Sequence, residues 1–147
     1  MSERLMRAAV LAGPERIEVK QVPVPDVGPG MMEIEVKACG VCGSDVHMWK
    51  AGHGWGPMAQ AKDFIMGHEF CGVVTHPGDG PFEVGERVTF WANLYCGECD
   101  MCRAGQEQLC RAVNGQNYIG FVYDGAYAER FVGPWRNAYP LPDTVSD

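Results

Sequence analysis

The stretch Gly40-Val41-Cys42-Gly43-Ser44-Asp45-Val46-His47, read together with Gly67-His68-Glu69, organises this chain. It places a thiol, imidazoles and two carboxylates close to glycines, which let backbone and ligand approach one another. An open catalytic zinc site needs donors of this kind and one position left for substrate. The stretch therefore predicts a site for chemistry and not one that only holds a fold.

The candidate metal ligands of this site are Cys42 and His68, because a thiolate and a neutral imidazole are both good zinc donors. The carboxylates of Asp45 and Glu69 can hydrogen-bond these ligands or approach the metal themselves. A lone histidine beside a core strand is more often a core residue than a ligand. The neighbouring Glu69 and the Cys42 stretch favour the ligand interpretation for His68.

Ser44 lies two residues beyond Cys42, and His47 follows one helical turn later. A hydroxyl in that place can take a proton from an alcohol, and an imidazole one turn along can pass it to water. Ser44 and His47 are therefore candidate catalytic residues of a proton path out of the site.

Four cysteines in one short loop form the most specific motif of the sequence. Cys96, Cys99, Cys102 and Cys110 follow the spacing C-x2-C-x2-C-x7-C, which suits a closed tetrahedral zinc site. An iron-sulfur cluster can begin with the same three cysteines, but its usual close fourth cysteine and proline are absent. Surface thiols without metal are the remaining alternative. We interpret the loop as a structural zinc lobe whose folding is coupled to metal binding.

Length and composition are those of an ordinary globular domain, with 147 residues, 46% hydrophobic and 21% charged. The formal charge of −7 argues against nucleic acid or an anionic membrane as a partner, since both require a basic face. No leader-like or membrane-length apolar run is present, so a cytoplasmic location is expected. Seven cysteines in that compartment favour metal binding over disulfides.

Alternation of apolar and polar residues predicts a mainly β chain, with an antiparallel pair at the N-terminus. The predicted strands are residues 7–11, 17–22, 32–38, 70–74, 87–91, 126–132 and 138–142. Ser44 is the predicted N-cap of a short helix over residues 45–50. Residues 51–63 are a predicted loop, and its Gly54-Trp55-Gly56-Pro57-Met58-Ala59 matches a dinucleotide-binding pattern by chance, because no strand precedes it.

These motifs, in this order and at these separations, resemble the catalytic domain of the zinc-dependent medium-chain alcohol dehydrogenases. Gly43-Ser44-Asp45 resembles their polyol, threonine and butanediol dehydrogenase branch, and Gly85-Glu86-Arg87-Val88 also fits the family. The resemblance implies one domain over residues 1–147 with a GroES-like fold. That fold is a partly open β-barrel with few short helices and a structural zinc lobe.

The resemblance also implies roles for individual residues. Cys42 and His68 match catalytic zinc ligands, Glu69 an alternate ligand, and Asp45 the carboxylate that supports them. Ser44 and His47 match a proton relay. The matched structural zinc ligands are Cys96, Cys99, Cys102 and Cys110.

For the full enzyme, the resemblance implies oxidation of a secondary alcohol or polyol by hydride transfer to NAD or NADP, in a homo-oligomer. In this family a further catalytic zinc ligand and the Rossmann domain follow the region that this chain spans. We therefore expect the 147 residues to be a fragment that is inactive alone.

Two other functions remain open from the sequence. A stand-alone zinc-binding, GroES-like interaction module would need no cofactor domain, although it would not explain Ser44, Asp45 and His47 together. Redox chemistry at Cys39-x-x-Cys42 is the other, because that spacing fits a dithiol at a helix start.

Overall fold

The N-terminal strands form the predicted antiparallel pair. The computed structural model describes residues 4–55, 63–111 and 117–147. In it β1 (Leu5–Gly13) pairs antiparallel with β2 (Arg16–Pro23) along its whole length. A short strand, β4 (Phe64–Ile65), pairs with the other edge of β1 and completes a three-stranded sheet. β1 is thus a central strand, and its Met6, Ala8 and Val10 are buried.

A second, five-stranded sheet holds most of the core. From one edge to the other it consists of β7 (Arg130–Pro134), β3 (Met31–Cys39), β5 (Phe70–His76), β6 (Arg87–Phe90) and β8 (Ala138–Pro140). Every neighbouring pair is antiparallel.

Three phenylalanines from three strands of this sheet form the centre of the core. The ring centroids of Phe70, Phe90 and Phe131 lie 4.7–5.3 Å apart, within the range of favourable aromatic contacts. Met32 and Ile34 of β3 are fully buried beside them. Burial of such side chains stabilises the fold by about 1.5–3 kcal/mol each.

The segment before β7 connects the two sheets. The Ala9 N–H of β1 donates to the Tyr127 carbonyl at 2.7 Å, and the Val36 N–H of β3 donates to the Glu129 carbonyl at 3.0 Å. The predicted strand over 126–132 is therefore wrong at its start, because residues 126–129 divide their hydrogen bonds between two sheets and regular pairing begins at Arg130. This link gives the partly open β-barrel that the sequence predicts.

A buried carboxylate ties the barrel strands together. Glu33 of β3 is 1% exposed and accepts hydrogen bonds from Arg4 at 2.9 Å, Thr75 at 2.8 Å and Arg130 at 2.7 Å. Burial raises the pKa of Glu33, but the three hydrogen bonds outweigh burial and leave the pKa below its usual value. The carboxylate is therefore charged and fully paired near neutral pH.

Helices are short in the described part of the chain. They are α1 (Gly43–Ala51) and α2 (Asp100–Arg103), with 3₁₀ turns at Glu107–Leu109 and Trp135–Asn137. None of the described helices is long and apolar enough to cross a membrane. Residues 56–62 of the predicted loop, and with them most of the dinucleotide-like match, lie outside the described residues.

Candidate metal centres

The end of β3 and the start of α1 present Cys42 at the mouth of the barrel. Cys42 is the N-cap of α1, and the Asp45 carboxylate accepts a hydrogen bond from the Cys42 backbone N–H at 2.9 Å. The predicted N-cap Ser44 is wrong, because the helix begins at Gly43 and Ser44 lies within its first turn. Asp45, at the third helical position, accepts the N–H of the N-cap residue, which is the acidic half of a capping box.

His68 and Glu69 arrive on the short connection between β4 and β5. Gly67 turns the chain there with φ of +94°, and a Cβ at this position would lie 2.6 Å from the Tyr127 ring. The Gly40 N–H donates to the Glu69 carbonyl at 2.7 Å and ties this connection to the Cys42 loop. Two segments that are distant in sequence therefore meet through their backbones.

This meeting gathers the predicted catalytic ligands. One donor atom from each of Cys42, His68 and Glu69 lies within 4.8 Å of the others, and we name this group the open site. Cys42 and His68 are half-buried, whereas Glu69 is exposed. Sulfur, nitrogen and oxygen donors with one side open to solvent fit zinc that keeps a free coordination position.

The surroundings of His68 indicate which ring nitrogen faces the site. Its Nδ1 is buried, has no hydrogen-bond partner among the described residues, and lies 3.7 Å from Asp45 Oδ1. Nδ1 therefore points towards a carboxylate that is itself 2% exposed, which leaves Nε2 to face a metal. The Phe121 ring lies 4.4 Å from the His68 ring, and the Trp55 ring lies 4.9 Å from Phe121.

The two relay candidates lie on α1 but do not contact one another through a hydrogen bond. Ser44 Oγ is buried and has no partner in the described part of the chain. His47 lies on the same helix and is exposed to solvent. The Ser44 hydroxyl is therefore buried and the His47 imidazole faces solvent, and no hydrogen bond joins the two among the described residues.

The four-cysteine loop converges to a compact group, which we name the cysteine lobe. The Sγ atoms of Cys96 and Cys99 lie 3.5–3.9 Å from those of Cys102 and Cys110. A tetrahedron with Zn–S bonds of about 2.3 Å has edges of about 3.8 Å. The sulfur positions therefore fit a tetrahedral zinc ion, as the sequence predicts.

Backbone groups of the lobe favour the thiolate of Cys99, whereas burial raises the pKa of Cys102 to about 12. The Cys99 N–H donates to Cys96 Sγ at 3.3 Å, and the Cys96 N–H donates to Cys110 Sγ at the same distance. Backbone hydrogen bonds from Cys102 and Arg111 lower the pKa of Cys99 to about 6. A thiol that is ionised at neutral pH is ready to bind metal.

The dithiol alternative at Cys39 and Cys42 loses support. Burial, reinforced by the negative charge of Asp45, raises the pKa of Cys39 to about 12. A reactive dithiol requires a lowered thiol pKa, so Cys39 has the wrong environment for exchange. We therefore classify Cys39 as a structural cysteine.

Sequence reasoning missed two residues next to the open site, Phe121 and Tyr127. Phe121 packs on the His68 ring, and the Tyr127 hydroxyl lies 3.0 Å from Asp45 Oδ2. Tyr127 sits in a segment that looks like an ordinary strand in the sequence. No local pattern marks either residue, because both reach the site through tertiary packing.

A match to a known protein family covers most of the chain, including the open site and the cysteine lobe. The sequence profile of the alcohol dehydrogenase GroES-like domain matches residues 28–143. The chain belongs to this GroES-like family. The fold class and the family resemblance predicted from the sequence are thereby confirmed.

Relatives of this GroES-like domain extend well beyond it. The L-threonine 3-dehydrogenase of Rhizobium rhizogenes is 37% identical over 149 residues, covering 97% of this chain and 41% of that protein. The cobalt- and zinc-bound thermostable alcohol dehydrogenase of Pyrobaculum aerophilum matches with a TM-score of 0.81 at 37% identity, over 94% of this chain and 42% of its own. Acetophenone reductase of Geotrichum candidum, in complex with NAD, matches with a TM-score of 0.80 at 29% identity, over 99% of this chain and 42% of its own. The chain thus spans about two fifths of the relatives that it matches.

Proposed function

We propose that this chain is the catalytic domain of a zinc-dependent dehydrogenase that oxidises a secondary alcohol with NAD or NADP as the hydride acceptor. The observation that carries the proposal is the open site, where Cys42, His68 and Glu69 bring three different donors within 4.8 Å. A closed structural site would not leave one side exposed. The cysteine lobe is assigned a separate, structural zinc.

The chemistry at the open site divides between the metal and this chain. Zinc held by Cys42, His68 and Glu69 supplies Lewis acidity, and a nicotinamide cofactor supplies the hydride acceptor. The Asp45 carboxylate faces His68 Nδ1 and orients the ring. Phe121 covers one face of that ring and limits the approach of water.

Proton removal is assigned to Ser44 and His47. The buried Ser44 Oγ is unpaired within the described residues, so it is available to accept the proton of a bound alcohol while it donates its own. His47, exposed on the same helix, receives that proton and exchanges it with water. The step requires the His47 side chain to turn towards Ser44 when substrate binds.

The substrate class rests on relatives and on packing. L-threonine at its third carbon and the alcohol product of acetophenone reduction are both secondary alcohols, and the two relatives carry these names. Aromatic rings of Phe121 and Trp55 extend from His68, which favours a substrate with an apolar part.

Metal stoichiometry of the purified chain tests the proposal. We expect one zinc per chain to survive dialysis in the lobe, and a second to bind when zinc is added back. The second zinc should disappear in Cys42→Ser and His68→Ala while the first remains. A single zinc that no open-site substitution affects would overturn the proposal and favour the interaction-module alternative.

Hydride transfer is the second measurement. The chain joined to the cofactor-binding region of the Rhizobium rhizogenes relative should reduce NAD or NADP with secondary alcohols, including L-threonine. Ser44→Ala should lower kcat by about 10²–10⁴-fold, the usual contribution of general acid-base groups. The chain alone should show no turnover.

A further inference from the structure

Tyr127 lies between the two segments that build the open site. Its N–H donates to the Met66 carbonyl at 3.0 Å, and its own carbonyl accepts from the Ala9 N–H at 2.7 Å. Its ring packs against Gly67, where a Cβ would lie 2.6 Å from the Tyr127 Cδ1 atom. The backbone on both sides therefore fixes where the phenol ring points.

The phenol oxygen reaches the loop that carries Cys42. It lies 3.0 Å from the Gly40 carbonyl oxygen and 3.0 Å from Asp45 Oδ2. Asp45 Oδ2 also accepts the Cys42 N–H at 2.9 Å. One carboxylate oxygen is thus held from two directions.

Holding Oδ2 determines where the other oxygen of Asp45 points. Asp45 Oδ1 is buried, makes no hydrogen bond within the described residues, and faces His68 Nδ1 at 3.7 Å. A carboxylate held by the Cys42 N–H alone can rotate about its last bond, whereas a second donor on Oδ2 restricts that rotation. The two contacts together keep Oδ1 directed at the histidine.

We propose that Tyr127 is a positioning residue of the open site, which fixes the Asp45 carboxylate so that His68 presents Nε2 to the metal. This inference rests on the proposed function, because it requires a metal at Cys42, His68 and Glu69. Partners of metal-bound histidines commonly change metal affinity by 10–100-fold when they are removed. Tyr127 acts one contact further out, through Asp45.

The phenol remains a donor under working conditions. Burial raises the pKa of Tyr127, and the neighbouring Asp45 charge raises it further. The hydroxyl therefore keeps its proton near neutral pH. Its single hydrogen has two acceptors at 3.0 Å, and the charged Asp45 carboxylate attracts it more strongly than the neutral Gly40 carbonyl does.

Cobalt binding to the chain tests this role without any assay of turnover. The lobe is first loaded with zinc, and Co²⁺ is then titrated while the thiolate-to-cobalt absorption of Cys42 is followed. We expect Tyr127→Phe to weaken Co²⁺ binding about tenfold or more and to shift the visible cobalt bands, because His68 is no longer held at one angle. Tyr139→Phe is the matched control, since that tyrosine is 48% exposed and lies on β8, at the edge of the five-stranded sheet.

A double-variant cycle shows whether Tyr127 works through Asp45. Asp45→Asn should weaken Co²⁺ binding by itself, and adding Tyr127→Phe should weaken it little further. Wild-type affinity and spectrum in Tyr127→Phe, or fully additive losses, would overturn the inference while leaving the metal site intact. Absence of any Cys42-dependent cobalt signal in the wild type would overturn both this inference and the proposed function. Wild-type protection of the amides of β1 and β3 in hydrogen exchange would show that the barrel of each variant is folded.

Discussion

The cysteine lobe and the open site are two metal centres of opposite construction. The lobe takes four identical donors from one loop, and their sulfurs lie 3.5–3.9 Å apart. The open site takes three different donors from two distant segments, held together by backbone contacts such as Gly40 to Glu69. Around the lobe the described helices are a single turn each, whereas the ligands of the open site are held next to the strands β3 and β5.

In the lobe, metal binding should drive folding, whereas at the open site folding should prepare the ligands for metal. The lobe has little core of its own, so metal binding must supply much of its folding free energy. The open site lies on a barrel that folds through its own hydrophobic core. The barrel therefore positions the three ligands before any metal binds. Substitutions in the lobe should therefore change structure first, and substitutions around the open site should change metal affinity first.

The largest effect is expected from Cys99→Ala. Removal of one of four thiolates should abolish the tightly held zinc and unfold the lobe locally, because three thiolates leave the tetrahedron open. Zinc content should fall by one per chain, and amide hydrogen exchange should accelerate across residues 94–111 while the barrel strands stay protected. Cys71→Ala is the control, since Cys71 lies on β5 outside both centres. Retained lobe protection without zinc would contradict the view that metal organises this loop.

A substitution at Gly67 should act on the barrel and the open site but not on the cysteine lobe. Gly67→Ala places a Cβ at φ of +94°, 2.6 Å from the Tyr127 ring and 2.9 Å from Cys39 Sγ. Backbone strain and overpacking should together destabilise the barrel by about 2–5 kcal/mol and weaken metal binding beside His68. Denaturant unfolding and the cobalt titration measure the two effects.

Gly85→Ala separates strain from steric conflict. Gly85 has φ of +96°, but a Cβ there would meet no atom within 4 Å. It should cost only about 1–2 kcal/mol for the backbone conformation and leave cobalt affinity unchanged. Equal cobalt affinities in the two variants would show that close packing at Gly67 is irrelevant to the site.

The two centres also differ in how much the sequence reveals of them. Contiguous spacing of Cys96, Cys99 and Cys102 predicts the lobe, because the ligands are local in sequence. The types and roles of Cys42 and His68 were suggested by local motifs and by family resemblance, but their approach to 4.8 Å depends on the barrel. Tyr127 could not be predicted, because its hydroxyl reaches Asp45 only after distant segments align.

Two local errors have the same origin. Ser44 is a better N-cap by residue type than Cys42, but Asp45 accepts the N–H of Cys42, and the helix starts two residues earlier than predicted. The strand expected over 126–132 is interrupted because the two sheets share its first residues. Residue preferences therefore predict which helices and strands form, whereas tertiary contacts determine at which residues they begin and end.

A smaller effect than that of Gly67→Ala is expected from Glu33→Gln, and it should reach the open site but not the lobe. The amide cannot accept from Arg4, Thr75 and Arg130 as the carboxylate does, so the barrel should lose about 1–3 kcal/mol at neutral pH. Cobalt should then leave the open site at lower denaturant concentration, with lobe zinc unchanged. Glu35→Gln is the matched control, because Glu35 lies on the same strand, is exposed and forms its ion pair with the neighbouring Lys37.

Acid should remove the difference between wild type and Glu33→Gln. The folded pKa of Glu33 lies below the ordinary value of 4.5, so the ionised carboxylate stabilises the fold fully above that pH. As the pH falls through the lower, folded pKa, the native carboxylate is protonated and this contribution disappears. Unfolding free energies of the two proteins should therefore approach one another as the pH falls from 4.5 through the folded pKa of Glu33. A difference that stayed constant from neutral pH down to acid unfolding would show that Glu33 stabilises the barrel by its shape and not by its charge.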